Sequence, residues 1–329
     1  MAISAAPQQK KTKKSNIQPI SASDLKSSPV SVAMIGPAGS GKSYTVISLI
    51  DHLISLGLTP EEIHIEYIDL DAGLVDILNQ ISFPESYLSS ITYTLCTNFY
   101  DVEDATEQAY ARLESHKEQY GLMGCYIFVD NMDKAWEFAR NDVCEAIYGM
   151  TMTDKMKDAR ASQERAKRSG AKGQGVFNQQ LDYAIINPLH NDWAESFKTC
   201  GYNFVWLSPW HYVDVKDAND KVAGVETRFG QKANDLRVSY IIRKYFDDKL
   251  VRRADFIKSR STQALPKGLK DVSWSGLFSE LEKLASIEQR ERESKMLTRT
   301  FPTLPTQPTP DEVNTQVEVE VITTSTDDW

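Results

Sequence analysis

Three observations predict an α/β fold built on a mostly parallel sheet with helices on both faces. Short apolar runs alternate with longer segments whose apolar residues recur at helical spacing. One run, Cys125–Asp130, is apolar without alternation, as a strand covered on both faces must be. A glycine-rich loop, Gly36–Ser43, joins the first apolar run to the first helical segment. In chain order, Val30–Ile35 reads as a strand, Ser43–Leu56 as a helix and Ile63–Asp69 as a strand. Ile91–Cys96 is a further strand, Asp101–Tyr120 a helix with a polar face, and Asp133–Tyr148 a helix after the Cys125–Asp130 strand. A basic, glycine-containing loop is expected over 151–176. A helix follows over Asn178–Lys198, which Pro188 should kink or split because it removes a backbone donor. Asn203–Ser208 is the next core strand, and a second loop is expected over 212–235. Ser239–Phe246 and Leu250–Lys258 flank Asp247-Asp248-Lys249 and predict a C-terminal β-hairpin, closed by a helix over Trp274–Arg290.

This places a core domain over 29–295 between two tails. Residues 1–28 are rich in Lys, Ser, Gln and Ala without periodicity and predict a disordered basic arm, with Lys10, Lys11, Lys13 and Lys14 close together. Residues 296–329 predict a disordered acidic tail: Pro302, Pro305, Pro308 and Pro310 alternate with Thr, and no basic residue follows Arg299. The formal charge of −9 argues against a generally basic nucleic-acid coat protein. No stretch approaches the roughly 20 apolar residues of a membrane span, and no apolar block follows the N-terminal lysines, so the expectation is a soluble, cytoplasmic chain. Cys96, Cys125, Cys144 and Cys200 are widely spaced, which suits buried thiols better than disulfides or zinc.

Gly36-Pro37-Ala38-Gly39-Ser40-Gly41-Lys42-Ser43, followed by Tyr44, fits the pattern G-x-x-x-x-G-K-[ST]. Glycines allow the backbone to turn its N–H groups around phosphate oxygens. Lys42 would reach the β- and γ-phosphates of a nucleoside triphosphate, whose base this loop does not fix, and the Ser43 hydroxyl would ligate Mg²⁺. The helix starting here directs its positive end at the same anion. The second metal-side residue should be a carboxylate at the end of a buried strand, and Asp130 supplies it. Residue 131 is Asn rather than the Glu that many ATPases place there, so a catalytic carboxylate must come from elsewhere.

Glu66-Tyr67-Ile68-Asp69-Leu70-Asp71-Ala72-Gly73 resembles the acidic strand end of RecA, RadA and KaiC-type ATPases. The resemblance implies a RecA-like P-loop ATPase with Asp71 as general base and Asp69 beside it; Asp stands where that family usually has Glu. Lys258-Ser259-Arg260 resembles the Lys-x-Arg finger of KaiC-type proteins, which implies a homo-oligomer, ring or filament, in which Lys258 and Arg260 reach a neighbour's nucleotide. A solvated strand end explains the same residues. By the same resemblance the two loops after Asp130 correspond to the DNA-binding loops of RecA. Lys155, Lys157, Arg160, Arg165, Lys167, Arg168 and Lys172 would then contact single-stranded DNA, with Phe229 stacking a base. A solvated charged helix also accounts for 154–168. Ser208 or His211 stands where the family places a polar sensor. The tail ending Asp327-Asp328-Trp329 resembles the acidic tails with which single-strand DNA-binding proteins dock protein partners; a merely solubilising tail is the other reading.

The style of motif order is that of the small RecA-like ATPases of phages and archaeal viruses, which implies a role in recombination, repair or single-strand annealing. Three alternatives remain at the level of sequence. A viral genome-packaging ATPase would need a separate nuclease. A small-molecule phosphotransferase would leave the hairpin and finger unexplained. A nucleotide-switched scaffold would turn over negligibly. A GTPase is disfavoured by the lack of an Asn-Lys-x-Asp motif.

Overall fold

The computed structural model describes residues 29–80, 84–170, 183–216, 222–231, 233–259 and 264–284. Its centre is a seven-stranded sheet in the order β3-β2-β4-β5-β1-β8-β9. The strands are β1 (Ser31–Ile35), β2 (His64–Asp69), β3 (Ile91–Leu95), β4 (Cys125–Asp130), β5 (Asn203–Ser208), β8 (Tyr240–Phe246) and β9 (Arg252–Lys258). All neighbours are parallel except the β8–β9 hairpin. β6 (His211–Lys216) and β7 (Val222–Arg228) form a separate antiparallel ribbon. The expected mostly parallel α/β architecture with a C-terminal hairpin is therefore present.

The order of strands dictates which helix covers which face. From β1 the chain moves outward to β2 and β3, then reverses direction to β4 and β5. Right-handed crossovers in opposite directions place their helices on opposite faces. Thus α1 (Thr45–Ser55), α2 (Gly73–Gln80) and α3 (Glu85–Leu88) belong to one side. The other side holds α4 (Phe99–Tyr120), α5 (Met132–Tyr148), α6 (Met152–Ser169) and α7 (Tyr183–Thr199). The strand residues alternate accordingly. Val32, Met34, Tyr67, Phe128, Val205 and Ile242 pack with Val46, Leu49 and Ile50 of α1 and with Trp274, Leu277 and Leu281 of a last helix, α8, over 274–284. Ala33, Ile35, Ile68, Val129, Phe204 and Trp206 pack with Phe99, Ala135, Trp193 and Phe197 of the opposite layer.

The register levels four strand ends. Ile35 pairs with Ser208, Leu207 with Asp130, and Asp130 with Asp69. In parallel sheets ligands bind beyond such carboxyl ends, and the two carboxylates therefore emerge side by side at the edge where the glycine loop begins.

Two expected loops are corrected. The segment after α5 is helical through Ser169, as the charged-helix reading of 154–168 has it, and not a loop. The Thr151 hydroxyl caps it by accepting from the Asp154 N–H at 3.2 Å, no Gly or Pro interrupts it before Gly170, and Ala159 and Ala166 are buried on one face. The expected 212–235 loop contains the β6–β7 ribbon, whose β-branched Val213, Val215, Val222, Val225 and Thr227 favour extended backbone. Pro188 sits inside a continuous α7 and does not split it; buried Ile186, His190, Trp193 and Phe197 anchor the helix on both sides of it. α2 and α3 were not anticipated. Residues 1–28, 171–182 and 285–329, which hold both expected tails and the end of the last expected helix, lie outside the described residues.

The four cysteines carry free thiols, three of them buried. Among the described residues no helix is long and apolar enough to cross a membrane.

Trp274 ties α8 to the sheet. It is fully buried, meets Tyr126 edge-on at 5.9 Å, and its backbone N–H donates to the Ser48 hydroxyl of α1 at 2.9 Å. Trp274→Ala should lower stability by about 3–5 kcal/mol in urea unfolding monitored by far-UV circular dichroism. A loss below about 1 kcal/mol would mean that α8 does not cover this face.

Candidate functional site

The loop from Gly36 to Ser43 is shaped by positions that tolerate no side chain. Gly39 and Gly41 have φ of 76° and 85°. At Gly36 a Cβ would stand 2.2 Å from the carbonyl oxygen of Lys244, so β8 can lie this close only against glycine. The Lys42 ammonium arches across the loop and donates to the carbonyls of Gly36 and Pro37 at 2.9 and 3.0 Å. Burial holds its pKa below the usual lysine value, against the pull of Asp130 and Asp71.

The strand ends supply the acidic side. The Ser43 hydroxyl donates to Asp130 Oδ2 at 2.6 Å, and the buried Tyr67 hydroxyl donates to the same oxygen at 2.7 Å. Burial raises the Asp130 carboxyl to about 6; neighbouring Asp71 and Asp69 add to this, and the two hydroxyls oppose it. Asp69, beside it, is fully buried. It accepts the N–H groups of Asp71 (3.1 Å), Gly73 (3.3 Å) and Leu74 (3.1 Å), and so fixes the turn that starts α2. Desolvation raises its pKa in spite of those bonds. Asp71, carried on that turn, is exposed. Its Oδ2 accepts from Asn131 Nδ2 at 3.0 Å, while the Asn131 Oδ1 caps α5 by accepting from the Lys134 N–H at 2.8 Å. Asn131 thus orients the carboxylate from the position where many ATPases carry a Glu.

The underside is cationic. Lys244 of β8 is buried and donates to the Gly41 carbonyl at 3.1 Å and to Thr45 Oγ1 at 2.6 Å. Arg252 of β9 donates through Nε to the Gly39 carbonyl at 3.2 Å. Both turn loop carbonyls away from the cradle. The sequence reading missed them, together with Tyr67. Lys244 had a signal: a lysine on the apolar face of Tyr-Ile-Ile-Arg-Lys-Tyr-Phe breaks the strand's pattern.

Lys42, Ser43, Asp71, Asp130 and Arg252 open on a cavity of about 820 Å³, bordered also by the rest of the loop from Ala38 to Tyr44, by Gly73 and Asn131, and by the 270–273 segment. Among the described residues no cluster of three or more His, Cys, Asp or Glu side chains could hold a metal alone. A touching hydroxyl and carboxylate nevertheless fit Mg²⁺, which binds through one or two protein oxygens and completes its shell with water and phosphate.

Lys42, Ser43, Asp71 and Asp130 are therefore brought together. Other anticipated residues are elsewhere. The Lys258 ammonium donates to the carbonyls of Asp235 and Val238, the latter at 2.9 Å, within its own chain. Arg260 and Lys172 lie outside the described residues. Lys155, Lys157, Arg160, Arg165, Lys167 and Arg168 are carried by α6, none of which borders the cavity. Lys155 lies over the Tyr148 ring and Lys157 pairs with Asp154. Phe229, expected to stack a base, is 3% exposed and packs in the core with the α5–α7 layer; that expectation is corrected, because a core ring offers no face to a ligand. Ser208 is buried and donates to Asp133 Oδ1 at 3.2 Å. The side chain of His211 lies outside the described residues.

Neither a family model nor a curated protein matches the chain. Among solved structures, the chain is similar to a KaiC-like protein from the hyperthermophilic archaeon Pyrococcus horikoshii OT3. The two share 12% sequence identity over 73% of this chain and 84% of that one, with a TM-score of 0.41. A likeness this distant carries no inference about function.

The raised Asp130 pKa makes a signed prediction for metal-free protein. The folded chain holds this proton between pH 4 and about 6, where the unfolded chain has released it. The ionised group is therefore a destabilising element that is absent at low pH and complete above about 6. Asp130→Asn should gain on wild type as pH rises from 4 to 7, by about 1–3 kcal/mol in denaturant unfolding with EDTA. A difference that does not vary with pH would contradict this assignment.

Proposed function

We propose that the chain binds ATP with Mg²⁺ and hydrolyses it in the manner of RecA-like ATPases. The observation that carries this reading is the 2.6 Å contact between Ser43 and Asp130, which joins the end of a glycine-rich phosphate loop to a buried strand-end carboxylate. When bound, Mg²⁺ would neutralise charge on the phosphate oxygens, held by the Ser43 hydroxyl and the Asp130 carboxylate. The loop N–H groups and the start of α1 would cradle the phosphates, and Lys42 would exchange its two carbonyl partners for phosphate oxygens. Asp71, exposed at the cavity and steadied by Asn131, would accept a proton from the attacking water.

Action on DNA and assembly into a ring or filament belong to the same proposal. α6 carries six basic against three acidic side chains, and its exposed surface supports contact with a phosphate backbone. Lys258 and Arg260 would complete a neighbouring subunit's site only if Lys258 leaves its own chain's carbonyls on assembly. Recombination, repair or single-strand annealing, in a phage or viral setting, is the process such an activity would serve.

ATP turnover by wild type, Lys42→Ala and Asp71→Asn, with and without single-stranded DNA over a salt series, tests this. Turnover should vanish in Lys42→Ala and fall at least about 100-fold in Asp71→Asn. DNA should stimulate the wild type, less so as salt rises, and replacing Arg165, Lys167 and Arg168 with Glu should abolish the stimulation. DNA-indifferent turnover would favour a phosphotransferase. Tight nucleotide binding without turnover would favour a nucleotide-switched scaffold.

A further inference from the structure

Lys244 occupies a place where a charge is hard to keep. It lies on the face of β8 that packs towards α1 and α8, next to Ile242 on the same face, and is 1% exposed. Its ammonium reaches two neutral acceptors, the Gly41 carbonyl and the Thr45 hydroxyl, and Thr45 in turn donates to the Gly41 carbonyl at 3.2 Å. No carboxylate forms an ion pair with it among the described residues. The charged groups facing it are Lys42 from the loop and Arg252 from β9, both repelling, and Asp271 before α8, which attracts. Burial, reinforced by those two cations, holds its pKa down to about 7. An unpaired buried cation is costly relative to a well-packed apolar residue, and this one lies directly beneath the backbone that would cradle phosphate.

We propose that Lys244 is a positioning residue of the phosphate site, and that the phosphates bound above Gly41 supply the counter-charge its burial lacks. This rests on the nucleotide reading above. With phosphate in the cradle the ammonium form becomes favourable, so ligand binding above pH 7 is accompanied by proton uptake at Lys244. The ammonium then holds the Gly41 carbonyl down and the neighbouring N–H groups up.

Isothermal titration calorimetry in buffers of different ionisation enthalpy counts that proton. The ligands are Mg²⁺ with a non-hydrolysable ATP analogue and, separately, Mg²⁺ with inorganic tripolyphosphate. Wild type should take up about 0.5–0.9 proton per ligand at pH 8 and far less at pH 6. Its affinity should fall by up to about tenfold per pH unit above 7. Lys244→Met should lose both the proton and the slope. Should that variant fail to fold, Thr45→Val removes one of the two acceptors and should move the onset of uptake to lower pH. Uptake that persists in Lys244→Met, or is absent from wild type between pH 6 and 9, or is unmoved in Thr45→Val, would overturn the proposal while leaving the nucleotide reading in place. Failure of both ligands to bind wild type would overturn both.

Discussion

The hydrogen bond between Ser43 and Asp130 is the constraint on which the rest of the site depends, because it requires two distant parts of the chain to end at the same level. β5 lies between β1 and β4, so the contact spans a strand, and only the levelled register of Ile35, Ser208, Leu207 and Asp130 makes it possible. A one-residue slip in either pairing would turn Asp130 to the opposite face of the sheet. The long-range packing that fixes the register therefore also fixes the chemistry. Trp206 and Phe204 on one face of β5, and Val205 and Leu207 on the other, hold that central strand between two hydrophobic layers.

Around this contact the charges are sorted. Carboxylates of Asp69, Asp71 and Asp130 emerge from the β2 and β4 ends, while Lys42, Lys244 and Arg252 approach from the loop and the hairpin. Each group is held by neutral partners more than by its opposites: hydroxyls and N–H groups on the acids, carbonyls on the cations. Both sides are thereby left under-neutralised, in a direction that a metal ion and a polyanion would correct together. The acids favour a cation, the cations favour phosphate, and magnesium triphosphate brings both. The C-terminal hairpin consequently belongs to the proposed phosphate site, since β8 and β9 each grip one carbonyl of the glycine loop.

Much of this was legible in the sequence, for reasons that differ from residue to residue. The strand ends were readable because a fully buried parallel strand is a continuous apolar run, and Cys125–Asp130 and Asn203–Ser208 have the bounds expected. The loop was readable because its glycines are demanded by backbone geometry. α6 was legible only as one of two readings, a charged helix or a basic loop, because it buries just two alanines and is otherwise strongly charged. The β6–β7 ribbon was obscured by its short strands and intervening polar residues. In the sequence Asn131 shows only that a Glu is missing, whereas its side chain bridges Asp71 and the start of α5, a role that depends on spatial neighbours no spacing rule encodes. Lys244 and Arg252 are two hundred residues from the loop they hold, and only the β1–β8 pairing brings them under it.

The most direct test of the central claim is the magnesium dependence of nucleotide binding in wild type and Ser43→Ala, measured at equilibrium with a non-hydrolysable ATP analogue. If Ser43 and Asp130 form the metal site, magnesium should tighten binding to wild type at least about tenfold, a difference near 1.4 kcal/mol. The same addition should leave Ser43→Ala almost unchanged, with its metal-free affinity close to that of wild type. An equal magnesium effect in both proteins would place the metal away from this pair and contradict the account.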